Sequence, residues 1–390
     1  MHVTDRLPAG LAGVPVAETT IGDVRGDEGF YHYRQYDAVE LAGHASVEQV
    51  WALLFDGSLP DARRTEELRV RVGGARVLPV AVTAVLPAIA EAQGTGLGAL
   101  RTGVSLLAGA RGVGPMLDLS TTQRRDEALD VVGAIPTLIA ALHALARGGR
   151  PAEPDPEAGH AQDYLRMLLG CTPSPDAVRA LEIYLVTTID HGFNASTFAG
   201  RVIASTGADI GGVLAGALAA LSGPLHGGAP GRVLDMLDEL TSAVDPRDHP
   251  ALDAATTAWV SRALERGERI MGFGHRVYRT VDPRATRLRQ VLERLGGPQV
   301  AAARVVEEAV LRRLEARRPG RRLRTNVEFY AGVLMSAIGI PRELFTPTFA
   351  VSRAIGWAAH ALEQAGSRTI IRPSAIYTGP PAPAPLPQHS

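Results

Sequence analysis

The sequence predicts a mainly α-helical protein. Apolar residues recur at intervals of three and four along most of the chain, which places them on one face of a helix. Runs of aromatic and β-branched residues, which are typical of strands, are scarce. Several of the apolar segments are preceded by Ser or Thr followed by Pro, or by Gln three positions later, as helix starts often are.

The first predicted elements are a hairpin and a capped helix. Residues 15–36 contain short extended runs around the turn "GDEG", which predicts a small β-hairpin. Ser46 with Gln49 forms the sequence pattern of a capping box, and Gly57 would end the helix that follows.

Two later helices carry similar start signals. Ser174 followed by Pro175 predicts the start of a long helix, because proline is favoured in the first turn. Thr346 followed by Pro347 predicts another helix, which would end at Gly366.

Segments rich in proline and charge separate the predicted helices. Residues 146–160 and 242–253 have this composition, and we expect them to be linkers. Residues 378–390, "TGPPAPAPLPQHS", have the composition of a poorly ordered, polyproline-like tail.

Composition excludes several classes of function. The 390-residue chain is 46% hydrophobic and 21% charged, so it can bury a large core. A net charge of -1 gives no electrostatic reason to expect nucleic acid or an anionic membrane surface as a partner. No uninterrupted apolar stretch reaches the roughly 20 residues of a membrane span, and no signal peptide is recognisable, so we expect a cytoplasmic protein. The single cysteine, Cys171, excludes an internal disulfide and multi-cysteine metal sites.

The basic residues impose a sharper limit. All 40 of them are arginine, and the chain contains no lysine. Schiff-base chemistry on a lysine and the P-loop lysine are therefore excluded. Anions must be bound by guanidinium groups and backbone amides, which suit bidentate contacts with carboxylate or phosphate.

Four segments combine reactive polar groups with unusual local backbone. They are 190–197, 223–230, 272–284 and 325–332. In the second segment, proline and glycine on both sides of His226 predict a tight turn that presents its imidazole. In the fourth, Glu328 lies in an apolar run, where desolvation would raise its pKa and make it a better base near neutral pH.

Each of these residues also has an ordinary structural interpretation when it is taken singly. A histidine in a Gly-Pro turn is most often a hydrogen-bonding residue, and His32, His143 and His360 fit the pattern of satisfied structural side chains. An isolated Arg279 or Arg284 would be a surface residue or half of a solvated ion pair. The combination of the four segments favours a functional site.

Several long motifs together resemble citrate synthases. They are, in the order in which they occur, "GPLHGGAPGRVLDML", "MGFGHRVYRTVDPR", "NVEFYAG", "ELFTPTFAVSRAIGWAAHALEQ" and "RTIIRPSA". The resemblance covers nearly the whole chain except its two ends and is strongest to the shorter bacterial type found in actinobacteria. It implies a mainly α, two-domain fold, in which a large and a small helical domain enclose a cleft.

The resemblance also implies the domain boundaries. Residues 1–223 would form the first part of the large domain, 224–330 the small domain and 331–378 the return to the large domain. Residues 379–390 would be a disordered tail.

The reaction implied by the resemblance is the condensation of acetyl-CoA with oxaloacetate, without a metal or organic cofactor. By resemblance, His226 donates a hydrogen bond to the thioester oxygen and stabilises the enol or enolate, while Glu328 removes a proton from the acetyl methyl group. His275 would polarise the keto carbonyl of oxaloacetate. A weak carbon acid requires such a pairing of a base with an oxyanion donor.

Arginine residues and a further histidine are assigned to substrate binding by the same resemblance. The residues expected to bind oxaloacetate are His191, Arg284, Arg353 and Arg372. Arg372 would reach the site of the partner subunit, so we expect a homodimer. The residues expected to bind CoA are Arg279, Arg322 and Arg324, with Arg321 in the same basic run.

Glu328 departs from the pattern of the family, which usually has aspartate as its base. The additional methylene moves the carboxylate by more than an ångström if the backbone stays in place, and a shift of about 1 Å can cost on the order of a hundredfold in rate. We therefore expect either a compensating change in the backbone or impaired catalysis.

Two alternatives lie within the citrate synthase family. One is a 2-methylcitrate synthase that uses propionyl-CoA, since one methylene in an apolar pocket changes binding by only about 1–3 kcal/mol. The other is a catalytically weak homologue with a binding or regulatory role.

Three further alternatives rest on isolated motifs. "HGGA" at 226–229 is similar to the oxyanion segment of esterases, but the chain has no G-x-S-x-G nucleophile elbow. "GTGLGA" at 94–99 fits a dinucleotide-binding pattern, but the run before it predicts a helix rather than a strand. The residue types of His191, His226, His275 and Glu328 would also suit a metal site, although none has the helix-face spacing of a metal motif.

Overall fold

A computed structural model describes the chain over residues 8–11, 13–226, 229–275, 277–317, 319–320 and 323–384. The predicted fold class is confirmed, because these ranges hold 18 α-helices and a single sheet of three short strands.

The sheet lies near the amino terminus and contains the predicted hairpin. Its antiparallel strands are β1 (Gly22–Arg25), β2 (Phe30–Tyr33) and β3 (Tyr36–Asp37), in that order. Tyr31 and Tyr33 of β2 are buried, and their hydroxyls donate hydrogen bonds to the backbone oxygens of Thr187 at 3.0 Å and Val186 at 2.9 Å. The sheet is thereby fixed to the end of a helix that precedes one of the candidate segments.

Helices account for most of the remaining chain. The first twelve are α1 (Ala38–His44), α2 (Val47–Asp56), α3 (Ala62–Ala75), α4 (Val80–Thr83), α5 (Leu86–Gln93), α6 (Leu97–Ala110), α7 (Thr121–Gly133), α8 (Ile135–Ala146), α9 (His160–Leu169), α10 (Pro175–Thr188), α11 (Ala195–Ser205) and α12 (Ile210–Leu221). The other six are α13 (Ala229–Ala243), α14 (His249–Glu265), α15 (Pro283–Leu295), α16 (Pro298–Arg317), α17 (Val327–Ala337) and α18 (Phe345–Ser367).

The predicted helix signals agree with these bounds in two cases of three. Both hydrogen bonds of the Ser46 capping box are formed, and Gly57 ends α2 with a φ of 84°. The Ser174 side chain caps α10 as predicted. The expected start of α18 at Thr346 is wrong, because the helix already begins at Phe345. Pro347 is tolerated there because it lies in the first turn, where backbone N–H groups have no partner inside the helix.

One of the two predicted linkers is confirmed. No helix or strand lies between Ala146 and His160. The linker predicted at 242–253 is wrong, since α13 continues to Ala243 and α14 begins at His249. Asp248 accepts a hydrogen bond from the Ala251 amide and so caps α14 within the charged stretch that suggested a linker.

The segment after α18 is irregular over its described residues. Residues 369–384 contain no helix or strand, and 385–390 lie outside the described residues.

Taken together, α7 and α8 form a segment, Thr121–Ala146, that is long and apolar enough to cross a membrane by composition alone. Its most apolar window is 83% buried inside the protein, as expected of a core helix.

Helix α18 forms the centre of the core. It is buried along most of its length and packs against α7, α10, α11 and α12. At Gly356 the approach to α10 is so close that an added Cβ would lie 2.2 Å from the backbone oxygen of Ile189. Between residues 229 and 337, α14 packs against α16, and α13 and α15 both pack against α17. The division into a large and a small domain stays a prediction.

His160 is an unusual member of the core. Its ring is fully buried in α9 and packs edge-on against Trp51, with 5.4 Å between ring centroids. Neither ring nitrogen has a hydrogen-bond partner among the described residues. Burial and, to a lesser degree, the charge of Arg76 lower the pKa of His160 to about 3. The folded chain therefore keeps this ring neutral.

We predict that His160→Phe makes the protein less sensitive to acid. The unfolded chain takes up a proton at this histidine near its ordinary pKa of 6.5, whereas the folded chain does not until about pH 3. The stability that depends on the neutral ring is therefore lost as the pH falls below 6.5. Between pH 7 and 5 this loss is on the order of 2 kcal/mol, and phenylalanine would remove it.

Denaturant unfolding at pH 7 and pH 5 measures this difference. The matched control is His44→Gln, at an exposed histidine of α1, which should lose as much stability in acid as the unmodified protein. An equal loss for His160→Phe would contradict the prediction.

Candidate active site

The loop at 190–194, which joins α10 to α11, carries the first predicted site residue. Gly192 has a φ of +63°, a left-handed conformation that glycine adopts without strain. Asn194 ends the loop and caps α11 by accepting hydrogen bonds from the Thr197 amide at 3.1 Å and from the Ser196 hydroxyl at 2.7 Å. His191 is therefore held on a short loop between two well-capped helical ends.

His191 lies among aromatic side chains and cations. Its Nε2 is 2.9 Å from the hydroxyl of Tyr278, and its ring centroid is 5.6 Å from that of His275. Burial lowers its pKa well below 6.5, and the positive charges of Arg284 and Arg353 act in the same direction. His191 is therefore a neutral hydrogen-bonding group.

His275 is oriented by backbone amides. Its Nδ1 accepts hydrogen bonds from the N–H groups of Val277 at 3.0 Å and Tyr278 at 3.1 Å, which assigns the ring proton to Nε2. Burial and the nearby Arg284 lower its pKa to about 4. Nε2 lies 3.2 Å from Nη2 of Arg284, so two donors face each other. An acceptor oxygen placed between them would satisfy both.

Arg284 forms a buried bidentate ion pair with Asp282. Its Nε lies 3.0 Å from Oδ1 and its Nη2 lies 2.9 Å from Oδ2 of the carboxylate. Oδ2 also accepts a hydrogen bond from the Val327 amide at the start of α17. Burial by itself would lower the pKa of Arg284, but the Asp282 charge raises it above its ordinary value.

Arg353 is a buried cation without such a partner. Its side chain on α18 is 2% exposed, donates from Nε to the Thr188 oxygen at 2.9 Å and lies over the Phe349 ring at 4.6 Å. Within the described part of the chain, no carboxylate forms an ion pair with it, and burial lowers its pKa. A buried guanidinium in this state favours an anionic ligand.

Glu328 is brought to the same region by the pairing of two extended segments. The Gly274 amide donates to the Arg324 oxygen at 2.7 Å, and the Asn326 amide donates to the Gly272 oxygen at 2.9 Å. His275 and Glu328 therefore follow paired stretches of backbone. Asn326 caps α17 by accepting from the Glu328 amide at 3.0 Å.

The carboxyl of Glu328 is poised near neutral pH. Burial raises its pKa to about 7, and this effect outweighs the opposing positive charge of Arg284. No described residue donates a hydrogen bond to this carboxylate. Its electrostatic partners, Arg284 and Arg353, show that it shares the surroundings of the two buried cations.

His226 is linked through Ser196 to the 190–194 loop and to α18. Its Nε2 lies 2.9 Å from Ser196 Oγ and 3.3 Å from the Ser196 amide nitrogen. The indole of Trp357 donates to the same hydroxyl at 3.2 Å, one helical turn after Arg353 on α18. The predicted turn is present, because the His226 amide donates to the Gly223 oxygen. Residues 227 and 228 lie outside the described residues.

A cavity of about 360 Å³ opens beside His275. Arg279 and Arg324, two of the residues predicted to bind CoA, line it and are exposed. The backbone amide of Arg279 donates to the Gly26 oxygen at 3.1 Å, so the hairpin turn supports this wall. Arg321 and Arg322 lie outside the described residues.

Among the predicted site residues that the structure describes, Arg372 lies apart from the others within one chain. It is exposed in the segment after α18, which is held by a hydrogen bond from the Ile371 amide to Ser205 Oγ at 3.0 Å. Its assignment to a partner's site stays a prediction.

Three residues that organise the site were not predicted from the sequence. Asp282 and Tyr278 lie inside the motif that drew attention to His275 and Arg284, and Asp190 directly precedes His191. A signal for Asp282 was present, since an aspartate before Pro283 is also a helix cap. No signal in the sequence connects Tyr278 with His191, because the two lie 87 positions apart.

Two alternatives lose support from the geometry. The segment before "GTGLGA" is α5, so the strand required for dinucleotide binding is replaced by a helix. Across the described ranges, no group of three or more His, Cys, Asp or Glu side chains could hold a metal ion.

Comparison with known proteins places this geometry in a family. The family model described as citrate synthase, C-terminal domain, matches residues 10–374. A protein named putative citrate synthase 2 from Mycobacterium tuberculosis is 38% identical over 383 residues, which cover 97% of this chain and 94% of the relative. The citrate synthase of Haloferax volcanii is 37% identical over 379 residues, with 97% of each chain covered.

Solved structures agree with these relatives. A citrate synthase from Pyrobaculum aerophilum has a TM-score of 0.84 and 33% identity, covering 97% of this chain and 94% of its own. A citrate synthase from Thermoplasma acidophilum, in a ternary complex with carboxymethyl coenzyme A and oxaloacetate, has a TM-score of 0.85 and 27% identity, with 99% of each chain covered. The chain therefore belongs to the citrate synthase family, whose members are enzymes of the acyltransferase type.

Proposed function

We propose that the protein condenses acetyl-CoA with oxaloacetate and water to form citrate and CoA through an enol or enolate intermediate. The observation that carries the proposal is the pair of buried guanidiniums, Arg284 and Arg353, that both act on His191. Arg284 also faces the Nε2–H of neutral His275, which has no acceptor among the described residues. A small dicarboxylate with a keto oxygen supplies the acceptors that these groups require.

Oxaloacetate would be bound by four groups. Its carboxylates would contact Arg284 and Arg353, with His191 as a neutral hydrogen-bonding partner. Its keto oxygen would accept the hydrogen bond from His275 Nε2. This contact becomes stronger as the oxygen gains negative charge during bond formation, so it favours the transition state over the bound substrate.

Proton removal from acetyl-CoA would depend on Glu328 and His226. A carboxyl with a pKa of about 7 is a stronger base than an ordinary glutamate and is still largely ionised slightly above neutral pH. His226, held by Ser196, would stabilise the negative charge that develops on the thioester oxygen. CoA itself would occupy the cavity lined by Arg279 and Arg324. In this reaction no step calls for a metal or an organic cofactor.

The proposed oxaloacetate site also requires a homodimer. Within one chain, Arg372 lies on an exposed segment next to the exposed side chains of Ile370 and Ile376. An apolar arm that carries one cation is suited to bind against a second copy and to place the guanidinium in that copy's site.

We predict that Glu328 is required and that its length matters. Glu328→Gln should lower kcat at least about a hundredfold, because a general base contributes that much or more. Glu328→Asp withdraws the carboxylate by one methylene and should cost on the order of a hundredfold if the backbone is placed for glutamate. In the unmodified enzyme, kcat/KM for acetyl-CoA should fall as the pH drops through about 7, since the base becomes protonated.

Release of the CoA thiol in the presence of oxaloacetate measures all three effects. Glu91→Gln, at an exposed site on α5, is the matched control and should retain full activity. The proposed function is overturned if the unmodified protein releases no thiol, or if kcat/KM clearly favours propionyl-CoA. Full activity of Glu328→Gln would remove the proposed base.

A mixing experiment tests the contribution of Arg372 from the partner subunit. His275→Ala and Arg372→Ala homodimers should each be nearly inactive at low oxaloacetate concentration. After subunit exchange, a mixed dimer would contain one site with both residues intact, so equal mixing should restore about a quarter of the unmodified activity. If Arg372 acts within its own chain, mixing would restore none.

A further inference from the structure

A line of four buried or half-buried polar side chains runs behind the 190–194 loop. It consists of Glu363, Arg201, His360 and Asp190, contributed by α11, α18 and the loop itself. Arg201, His360 and Asp190 are at most 3% exposed. None of them was assigned a functional role from the sequence, and none is among the groups proposed to contact substrate.

The hydrogen bonds in this line have a fixed direction. Arg201 donates from Nη1 to Glu363 at 2.5 Å and to His360 Nδ1 at 3.1 Å. A guanidinium can only donate, so Nδ1 of His360 is an acceptor and the ring proton lies on Nε2. Nε2 then donates to Asp190 Oδ1 at 3.2 Å. Each group therefore determines the orientation of the next.

The line ends on the backbone that surrounds His191. Asp190 Oδ2 accepts a hydrogen bond from the Gly192 amide at 3.1 Å. The backbone oxygen of Asp190 accepts one from the Tyr33 hydroxyl at 3.2 Å. On the other side, the Arg201 guanidinium lies over the Phe193 ring at 5.0 Å. The residues before and after His191 are thus both fixed by the same buried groups.

The fixed loop affects both ends of the candidate site. Its first half presents His191 beside His275. Its last residue, Asn194, accepts a hydrogen bond from the Ser196 hydroxyl, which also contacts His226. Burying this many polar groups gives little net stability compared with apolar packing. Their value lies in holding one conformation of the loop before a ligand arrives, which reduces the entropy lost on binding.

We propose that Asp190 and His360 are positioning residues that hold the 190–194 loop, and with it His191, in the conformation that binds oxaloacetate. The identity of this substrate rests on the proposed function. The arrangement of the loop itself does not.

Two substitutions of His360 separate its two hydrogen bonds. Asparagine places its amide oxygen near the position of Nδ1, so His360→Asn keeps an acceptor for Arg201 and loses the donor to Asp190. Glutamine places its amide nitrogen near Nε2, so His360→Gln keeps the donor to Asp190. His143→Asn, at another buried histidine on α8, is the matched control for a general loss of stability.

Two measurements on full-length protein are needed. Calorimetry with oxaloacetate alone gives its Kd, and amide hydrogen exchange without any ligand gives the protection of the peptide that contains 190–194. We expect His360→Asn to raise Kd at least about tenfold, the effect of one hydrogen bond to a charged group, and to accelerate exchange of the loop. His360→Gln should stay within about threefold of the unmodified protein, and His143→Asn should change neither value.

The outcomes are distinguishable. Unchanged Kd and unchanged exchange in His360→Asn would overturn the proposal, as would equal effects of asparagine and glutamine. If the unmodified protein binds no oxaloacetate, the proposed function fails, and loop exchange alone decides the positioning role. If His360→Asn does not fold, Asp190→Asn replaces it in the test. In that variant one acceptor oxygen of the carboxylate becomes an N–H donor that faces the Gly192 amide. Unaltered hydrogen exchange of the loop in Asp190→Asn would equally overturn the proposal.

Discussion

The candidate site depends on the carboxylate of Asp282. This single buried group accepts two hydrogen bonds from the Arg284 guanidinium, one from the Arg284 amide and one from the Val327 amide. It therefore fixes the first turn of α15 to the first turn of α17. Arg284 in turn sets the charge that His275 and Glu328 experience. It thereby adds a charged link to two segments that the backbone hydrogen bonds of Gly274 and Asn326 already pair.

Burial then gives each group its chemical character. The histidines at 191 and 275 become neutral donors or acceptors, because burial disfavours the charged imidazolium and the positive charge of Arg284 adds to this effect. Glu328 becomes a weaker acid, whereas Arg353 stays charged with no ion-pair partner in the part of the chain that the structure describes. The unliganded site thus presents the Arg353 guanidinium and the His275 Nε2–H as donors to a ligand. A carboxylate substrate with a keto oxygen would supply the acceptors, which links the electrostatics of the fold to the proposed chemistry.

Much of this could be predicted from the sequence where the signal is local. Helix caps such as Ser46, and polar residues that break the apolar pattern of the sequence, such as His275 and Glu328, depend on a few neighbouring positions. Long-range partners could not be predicted, because neither their spacing nor their residue type is distinctive. His360 is an example, since it resembles any histidine on a helix until Arg201 and Asp190 are found on either side of it. The linker predicted at 242–253 failed for a related reason, as its aspartate and prolines also suit a helix start.

Asp282→Asn, compared with Asp163→Asn, tests whether the site depends on the Asp282 carboxylate. Both substitutions remove the carboxylate of a buried ion pair between an arginine and an aspartate. The Arg76–Asp163 pair, however, lies outside the site. In the thiol-release assay, kcat/KM for oxaloacetate should fall about a hundredfold or more in Asp282→Asn and stay near the unmodified value in Asp163→Asn. Near-normal kcat/KM in a folded Asp282→Asn protein would show that the site does not depend on this carboxylate.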